Sequence, residues 1–494
     1  MLVLSNLVDG LALAFTAPKL LCAVSGSLIG LVVGLLPGMA PAAMVALLLP
    51  VAVALDVPSA LFLLAGLCAG VQHARSITEI SRPTAGASLL PPGLAGMAMQ
   101  AAGLGAGLAG CLAVLALALA MGPLANAAAA LGPADKLALA VLGLTIAALL
   151  SSGSLLKAIA MAVLGLLLRQ VATGTYLGSS RFILDMPELA AGVGLVVLAL
   201  GVFGLSPIIT SMVRPEPIHA DAGQAVSGRW PSTQDVRQVA PAALRGTAWG
   251  LLLGVLPGSG ALLASYCARA LEGRLKTTPH EGHASPTALQ VMAGGQAARQ
   301  SGTLSSFIPL LTLGIPANAV MALIGGVLAL KGGETGPQMI TGHPDWVWGL
   351  MVSLWMGNLL LVLLHLPLTG LWVRLPAVPA RSVLPAVVVL CGIGAYSLGH
   401  RAFDLYLVAA FMVLGHVFDR LGCPTAPMLL GFVLGPMMES NLRQALLAAH
   451  GDVSTLVARP LSAGALLLAA ALVGAAVVLP SLHARRQQAF RDEH

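Results

Sequence analysis

Residues 30–38 read GLVVGLLPG, and residues 250–258 read GLLLGVLPG. Each copy sets Leu-Pro-Gly inside an apolar segment and is followed by more small and apolar residues. Proline has no N–H and clashes with the preceding turn, and glycine tolerates irregular backbone, so together they interrupt a helix. Backbone groups freed in this way cannot face lipid; they must face protein or a water-filled cavity. Paired interrupted helices in two halves of a chain are the sequence pointer to a secondary-transporter binding site. Proline kinks at helix-packing contacts are the competing reading, and the matched contexts of the two copies favour the first.

The surroundings define the solvent. Of 494 residues, 57% are hydrophobic and only 9% are Asp, Glu, Lys or Arg. A soluble domain carries roughly 25% charged residues. Mean hydropathy is +0.92. This composition excludes a soluble globular protein, and it excludes a disordered chain, which needs low hydrophobicity. The apolar runs are continuous rather than alternating, which excludes a membrane barrel. A spanning helix takes about 20 apolar residues. The reading is an all-α polytopic membrane protein with about 10–13 transmembrane helices in two repeat halves, some broken by Pro and Gly or re-entrant. Residues 1–212 form the first half, 213–245 a polar central loop, 246–482 the second half and 483–494 a basic tail.

The formal net charge is +6 and the pI about 9.2. In a membrane protein these belong to cytoplasmic loops, and no nucleic-acid partner is implied. Arg485, Arg486 and Arg491 place the tail in the cytoplasm, and Arg269, Arg274 and Lys276 are read as a second basic loop. Residues 1–18 lack a basic n-region, so the first helix is expected to be retained. None of the six cysteines forms a CxxC pair, and no metal site or disulfide framework is expected. No DxxD or HExxH cluster and no P-loop pattern occurs, which argues against a membrane enzyme and against ATP-driven transport by this chain.

A second broken element follows the second copy. Residues 308–319, IPLLTLGIPANA, hold two prolines and a glycine in an apolar run, with Thr312 and Asn318 as polar groups. The corresponding stretch of the first half, 72–93, carries Arg75, Glu79 and Arg82.

At these residues a resemblance becomes specific. LPGMAPAAMVALLLP (36–50), GLLLGVLPGSGALLASYCARALEGRLK (250–276), IPLLTLGIPANAV (308–320), CGIGAYSLGHRAFDLYLV (391–408) and APMLLGFVLGPMMESNLRQALLAAHGD (426–452) occur in this order. RFILDMPELAAGV (181–193) precedes the central loop. The chain resembles the large membrane subunit of the tripartite tricarboxylate transporters, the TctA family. The resemblance implies a secondary transporter of the bacterial inner membrane that imports citrate-like organic anions on an ion gradient. It implies a periplasmic solute-binding protein and a small four-helix membrane subunit as partners. A non-transporting receptor or scaffold paralogue, or a transporter of another solute class, is the alternative.

The chain departs from the family pattern in the polar lining. Ala74, Arg75, Ser76, Ile77 and Thr78 stand where the family has Gly-Gly-Ser-Ile-Ser, and the family's Asn-Ile-Pro-Gly turn is not recognisable in 79–88. Gln296, Arg299 and Gln300 replace a Glu and an Asn pair, and Ala317 replaces the glycine after Pro316. Charge inside a membrane is expensive and usually functional. A guanidinium is a planar fork suited to a carboxylate. Arg75 or Arg299 is therefore expected to contact the substrate carboxylate, and a fixed cation there is a candidate replacement for a coupling Na⁺. Both arginines snorkelling at the membrane edge is the competing reading.

The expected substrate-binding set is Pro37, Gly38, Arg75, Ser76, Pro257, Gly258, Arg299, Gly314, Pro316 and Asn318. Thr78, Ser305 and Thr312 are the hydroxyl candidates for a coupling ion, Na⁺ or H⁺, and no other cofactor is expected. His73 is read as a hydrogen-bonded structural histidine, with a proton relay as the other possibility.

Overall fold

The computed structural model describes residues 2–35, 40–81, 95–171, 188–189, 192–213, 233–275, 286–333, 335–368 and 380–492. Among the described residues every regular element is helical. The first half runs α1 (Leu2–Ala14), α2 (Ala17–Gly34), α3 (Pro41–Ala54), α4 (Val57–Ser81), α5 (Ala95–Ala129), α6 (Pro133–Leu149) and α7 (Leu155–Gln170). Then α8 (Leu195–Ala199) passes through a π-helical turn, Leu200–Leu205, into α9 (Ser206–Val213). The second half runs α10 (Thr233–Leu253), α11 (Gly260–Arg274), α12 (Pro286–Ser305), α13 (Phe307–Leu313), α14 (Ala319–Leu330), α15 (Pro337–Gly342) and α16 (Pro344–His365). It closes with α17 (Ala380–Gly399), α18 (Ala402–Arg420), α19 (Thr425–Ala448), α20 (Thr455–Ala458) and α21 (Pro460–Asp492).

Six of these helices are long and apolar enough to cross a membrane, and four shorter ones are also apolar. The chain is an all-α polytopic membrane protein. The helix α10 starts at Thr233, inside the stretch read from sequence as the polar loop. Its polar residues Arg237 and Gln238 sit on the opening turns, while Val239, Ala242 and Ala243 turn inward and are buried. One face of the helix is thus already apolar where the sequence looks polar on average.

The spans differ in what surrounds them. In an apolar 18-residue stretch within Val57–Glu79 of α4, 89% is buried inside the protein, against 22% for such a stretch of α18 and 17% for one within Pro460–Val478 of α21. The helices α18 and α21 leave most of their apolar surface uncovered by the rest of the chain. An interior helix such as α4 is free to carry polar groups, because protein rather than hydrocarbon surrounds them.

The glycines of the two echoed segments pack helices together. Gly26, Gly30 and Gly34 of α2 lie against the backbone of α4 at Leu63, Leu67 and Val71. Gly246 and Gly250 of α10, and Gly254 just past its end, lie in the same way against α12 at Gly294, Ala298 and Gly302. A Cβ at any of these positions would run into main chain. Without a hydrophobic force between helices in lipid, such close approach is what van der Waals packing needs. The correspondence extends to detail: Gly70 of α4 rests on the Ser27 carbonyl, and in the second half Ser301 donates its hydroxyl to the Thr247 carbonyl at 3.2 Å.

Corresponding helices of the two halves cross antiparallel. Gln72 of α4 hydrogen-bonds Thr303 of α12, while Glu79, farther along α4, meets Gln296 and Arg299, which precede Thr303. Gly103, Gly107 and Gly110 of α5 meet His365, Val362 and Asn358 of α16, again with rising numbers against falling ones. Cross-contacts recur as well: Gly105 of α5 lies on Ala293 of α12, and Gly349 of α16 lies on Phe62 of α4. This is the geometry of a two-fold axis running perpendicular to the helices.

Candidate functional site

The second Leu-Pro-Gly forms a non-helical link, as its composition requires. Pro257 and Gly258 lie between α10 and α11, and Gly258 has φ +94°. The other break separates α13 from α14. Gly314 closes α13 in the left-handed region at φ +74°, with its N–H on Leu310 O and the N–H of Ile315 on Pro309 O. The two closing bonds reach four and six residues back, a left-handed glycine end of the helix that is wider than a Schellman turn. Pro316 cannot continue the helix, and Asn318 restarts it by accepting the Met321 N–H at 3.0 Å.

The two breaks satisfy one another. The Gly258 N–H donates to Ala317 O at 2.6 Å. Ser259 donates its hydroxyl to Leu150 O, one residue past α6, at 2.9 Å. An unpaired backbone group away from water costs several kcal/mol, roughly, so breaks that meet are far less costly than breaks apart. Pro257, Gly258, Gly314, Pro316 and Asn318 are thereby brought together. Pro37 and Gly38 lie outside the described residues. The α2 helix leading to them ends with Gly34 against Val71 and Ala74.

A charged cluster lies between α4, α11 and α12. The Glu79 carboxylate forms ion pairs with Arg299 through one oxygen and with Arg269 through the other, the latter at 3.0 Å. Gln296 also donates to Glu79, at 3.1 Å. Arg75 sits one turn before Glu79 on α4, close enough to Arg299 for their charges to interact. Among the described residues the Arg75 side chain has no hydrogen bond or ion pair. The buried Nε groups of Arg269 and Arg299 also have no partner among them. Glu272, nearby on α11, is fully committed to Arg245 by two bonds of 2.7 Å.

The cluster thus holds three guanidinium groups and one carboxylate, which pairs with Arg269 and Arg299 and leaves Arg75 over. Its surplus positive charge and unspent N–H donors suit an anion. Arg299 is only 8% exposed in its side chain, so it lies inside the protein rather than in a snorkelling position. By helix rise, Arg299 lies about 9 Å before the end of α12, and the second break lies beyond the whole of α13. Among the described residues no hydrogen bond or ion pair joins the arginines to the paired breaks, so they are two regions and not one constellation.

The remaining candidates are distributed between them. Ser76 donates to His73 O at 2.6 Å, and Thr78 donates to Arg75 O at 3.2 Å. Thr312 donates to Ile308 O at 2.7 Å, close to the second break. Ser305 donates to Gly250 O at 3.1 Å, in the α10–α12 contact.

Three residues of the cluster were absent from the expected set: Glu79, Arg269 and Gln296. The signal for Glu79 was its position four residues after Arg75, the same face of a helix. Arg269 was read with a basic loop, but it is helical and turns inward, its side chain lying over Gly295. A glycine there leaves the room that any Cβ would fill. His73 also differs from its reading: it is fully buried, and neither ring nitrogen makes a hydrogen bond to a described residue.

Membrane-length helices around a charged interior site, beside two facing helix breaks, define a polytopic membrane protein with a polar centre. Residues 20–430 match the family described as "Tripartite tricarboxylate transporter TctA family". The chain belongs to that family. An Agrobacterium vitis protein named "Uncharacterized 52.8 kDa protein in TAR-I ttuC' 3'region" is 41% identical over 502 residues, covering 99% of each chain. A second, "Uncharacterized protein in TAR-II ttuC' 3'region" from the same organism, is 46% identical over 245 residues, 49% of this chain and 100% of its own length. No solved structure matches the chain.

Proposed function

We propose that the protein imports a small organic carboxylate by secondary active transport. It works in the bacterial inner membrane with a periplasmic solute-binding protein and a small four-helix membrane subunit. The family is a transporter family, and membership implies further subunits. The observation that carries the substrate class is Arg75, a cation without a counter-ion among the described residues, beside the Glu79–Arg299–Arg269 cluster.

In this reading Glu79 is an internal carboxylate beside the place of the substrate carboxylate. It holds Arg299, Arg269 and Gln296 in a geometry that a second carboxylate can share through Arg75 and the free Nε groups. Buried charge is costly until it is paired, so bound anion stabilises the cluster and is held inside the protein. The paired breaks supply local backbone irregularity between α10, α11, α13 and α14, where a small rearrangement changes which side of the site is open. The antiparallel crossing of α4 and α12 lets one half of the chain move against the other about the Gln72–Thr303 contact.

The test is uptake of labelled lactate, succinate and citrate into proteoliposomes holding this chain and its partner subunits, with and without imposed Na⁺ and proton gradients. Saturable uptake of at least one carboxylate supports the proposal. No uptake by folded, assembled protein contradicts it.

A further inference from the structure

We propose that His73 of α4 and His365 of α16 form a proton-binding pair that couples the proton gradient to carboxylate movement; the proposal rests on the transport reading above. Both side chains are fully buried. Their ring centroids are 5.9 Å apart, edge to face at 72°. The His365 Nε2 lies 3.2 Å from Met99 O of α5. The Ala69 carbonyl, one turn earlier on α4, faces His73 without reaching hydrogen-bonding geometry. Gly103 makes room for the His365 ring, since a Cβ there would fall 2.5 Å from Cδ2.

A buried imidazole normally satisfies its nitrogens, because an unmade hydrogen bond costs about 1–3 kcal/mol. His73 leaves both without a partner among the described residues, next to a second imidazole. A shift of one side chain that brings the rings closer lets a nitrogen of each reach hydrogen-bonding distance, so that one N–H donates to a neutral ring nitrogen. Two neutral imidazoles cannot use this arrangement as well as a pair sharing one added proton, in which the charge is hydrogen-bonded. The proton enters from one side of the membrane and leaves to the other, and no bond to carbon is made or broken.

The electrostatic surroundings are simple enough to read. On its own helix His73 has Cys68, Arg75 and Glu79. The helix α12 brings Arg299, and α11 brings Arg269 onto Glu79. The helices α3 and α14 carry no Asp, Glu, Lys, Arg or His. The helix α5 has only Cys111, whose sulfur takes a hydrogen bond from Asn358 at 3.4 Å. Lys19 and Cys22 of α2, and Asp345 of α16, lie toward the far ends of those helices. The added proton therefore meets a net positive neighbourhood. It becomes more favourable when a substrate anion neutralises Arg75, two residues on along α4, about 3 Å farther along the axis and about 200° around it, so that the coupling acts through the field and not through a contact. By linkage the proton then favours the anion by the same factor. For a monovalent carboxylate, the proton and the anion together add no net charge to the site.

The experiment compares wild type, His73→Gln and His365→Gln in proteoliposomes with the partner subunits, using labelled lactate, succinate and citrate. Counterflow at equal pH measures exchange, which needs no net proton movement. Accumulation driven by an inside-alkaline pH gradient, with membrane potential clamped, measures coupling. Expected is wild-type activity in both assays. Each variant is expected to keep counterflow within about threefold and to lose accumulation at least tenfold. Variants that accumulate as wild type does overturn the proposal, as does wild type that exchanges without responding to the pH gradient. Wild type that does not exchange any of the three carboxylates overturns the transport reading itself. A second measurement needs no variant: purified wild-type complex in weakly buffered solution near pH 8 should take up protons when the transported carboxylate is added. Absence of that uptake overturns the pair's role.

Discussion

Glu79 of α4 and Arg299 of α12 form an ion pair inside the protein, with Arg269 on the second carboxylate oxygen. Beside the pair, Arg75 has no counter-ion among the described residues. One internal carboxylate thus orders a cluster that has charge left over for a second. This surplus, rather than any single residue, is the basis for reading the site as a carboxylate site.

Replacing Glu79 with Gln should separate order from attraction. It leaves Arg299 and Arg269 without their carboxylate, and breaking a buried pair costs about 3–5 kcal/mol, less here because Glu79 is partly exposed. The melting temperature of the purified protein should fall. Added substrate carboxylate should restore more of it than in wild type, because ligand binding to the folded state stabilises by mass action. Equal melting temperatures with and without the carboxylate in Glu79→Gln would contradict this role.

The glycines of the repeat make a packing prediction. A Cβ on Gly30 would come 3.0 Å from the Leu67 Cα and carbonyl carbon, and backbone of a packed helix yields little. Gly30→Val should destabilise by about 1–3 kcal/mol or more and reduce monodisperse protein in detergent. Gly464→Ala, on the largely uncovered α21, has nothing within 4 Å and should leave the melting temperature unchanged or slightly raised. A tolerated Gly30→Val, judged by gel filtration and melting, would show that the α2–α4 contact is looser than described.

Gly258 tests the facing breaks. Its φ of +94° strains any L side chain, and a Cβ would sit 3.1 Å from the Ala147 Cα. Gly258→Ala should lower uptake at least tenfold while leaving Gly464→Ala-like expression, because strain of about 1–3 kcal/mol falls on the link rather than the core. Wild-type uptake by Gly258→Ala would remove the link from the transport cycle.

Much of the fold was legible because its causes are local. GLLLGVLPG and TLGIPANA carry the residues that break helices, and both breaks occur where those residues stand. What sequence could not give is which backbone groups the breaks would find. The Gly258–Ala317 hydrogen bond joins residues 59 positions apart and depends on how α10, α11, α13 and α14 pack. The same limit hid Arg269. Near Arg274 and Lys276 it looks like a loop charge, and only the absence of a side chain at Gly295 lets it turn inward. Arg75 and Arg299 stand out in the sequence as charges in unusual places, whereas the role of Glu79 does not, since its partners Arg299 and Arg269 come from two other helices.

The most direct test of the central claim is the half-saturation concentration for carboxylate counterflow in wild type, Arg75→Gln and Arg75→Lys, reconstituted with the partner subunits. Arg75→Gln should raise it at least tenfold, about 1.4 kcal/mol of binding, with Arg75→Lys between the two because it keeps the charge and loses the fork. The same half-saturation in Arg75→Gln as in wild type would contradict the account, since the cation without a counter-ion would then play no part in holding the substrate.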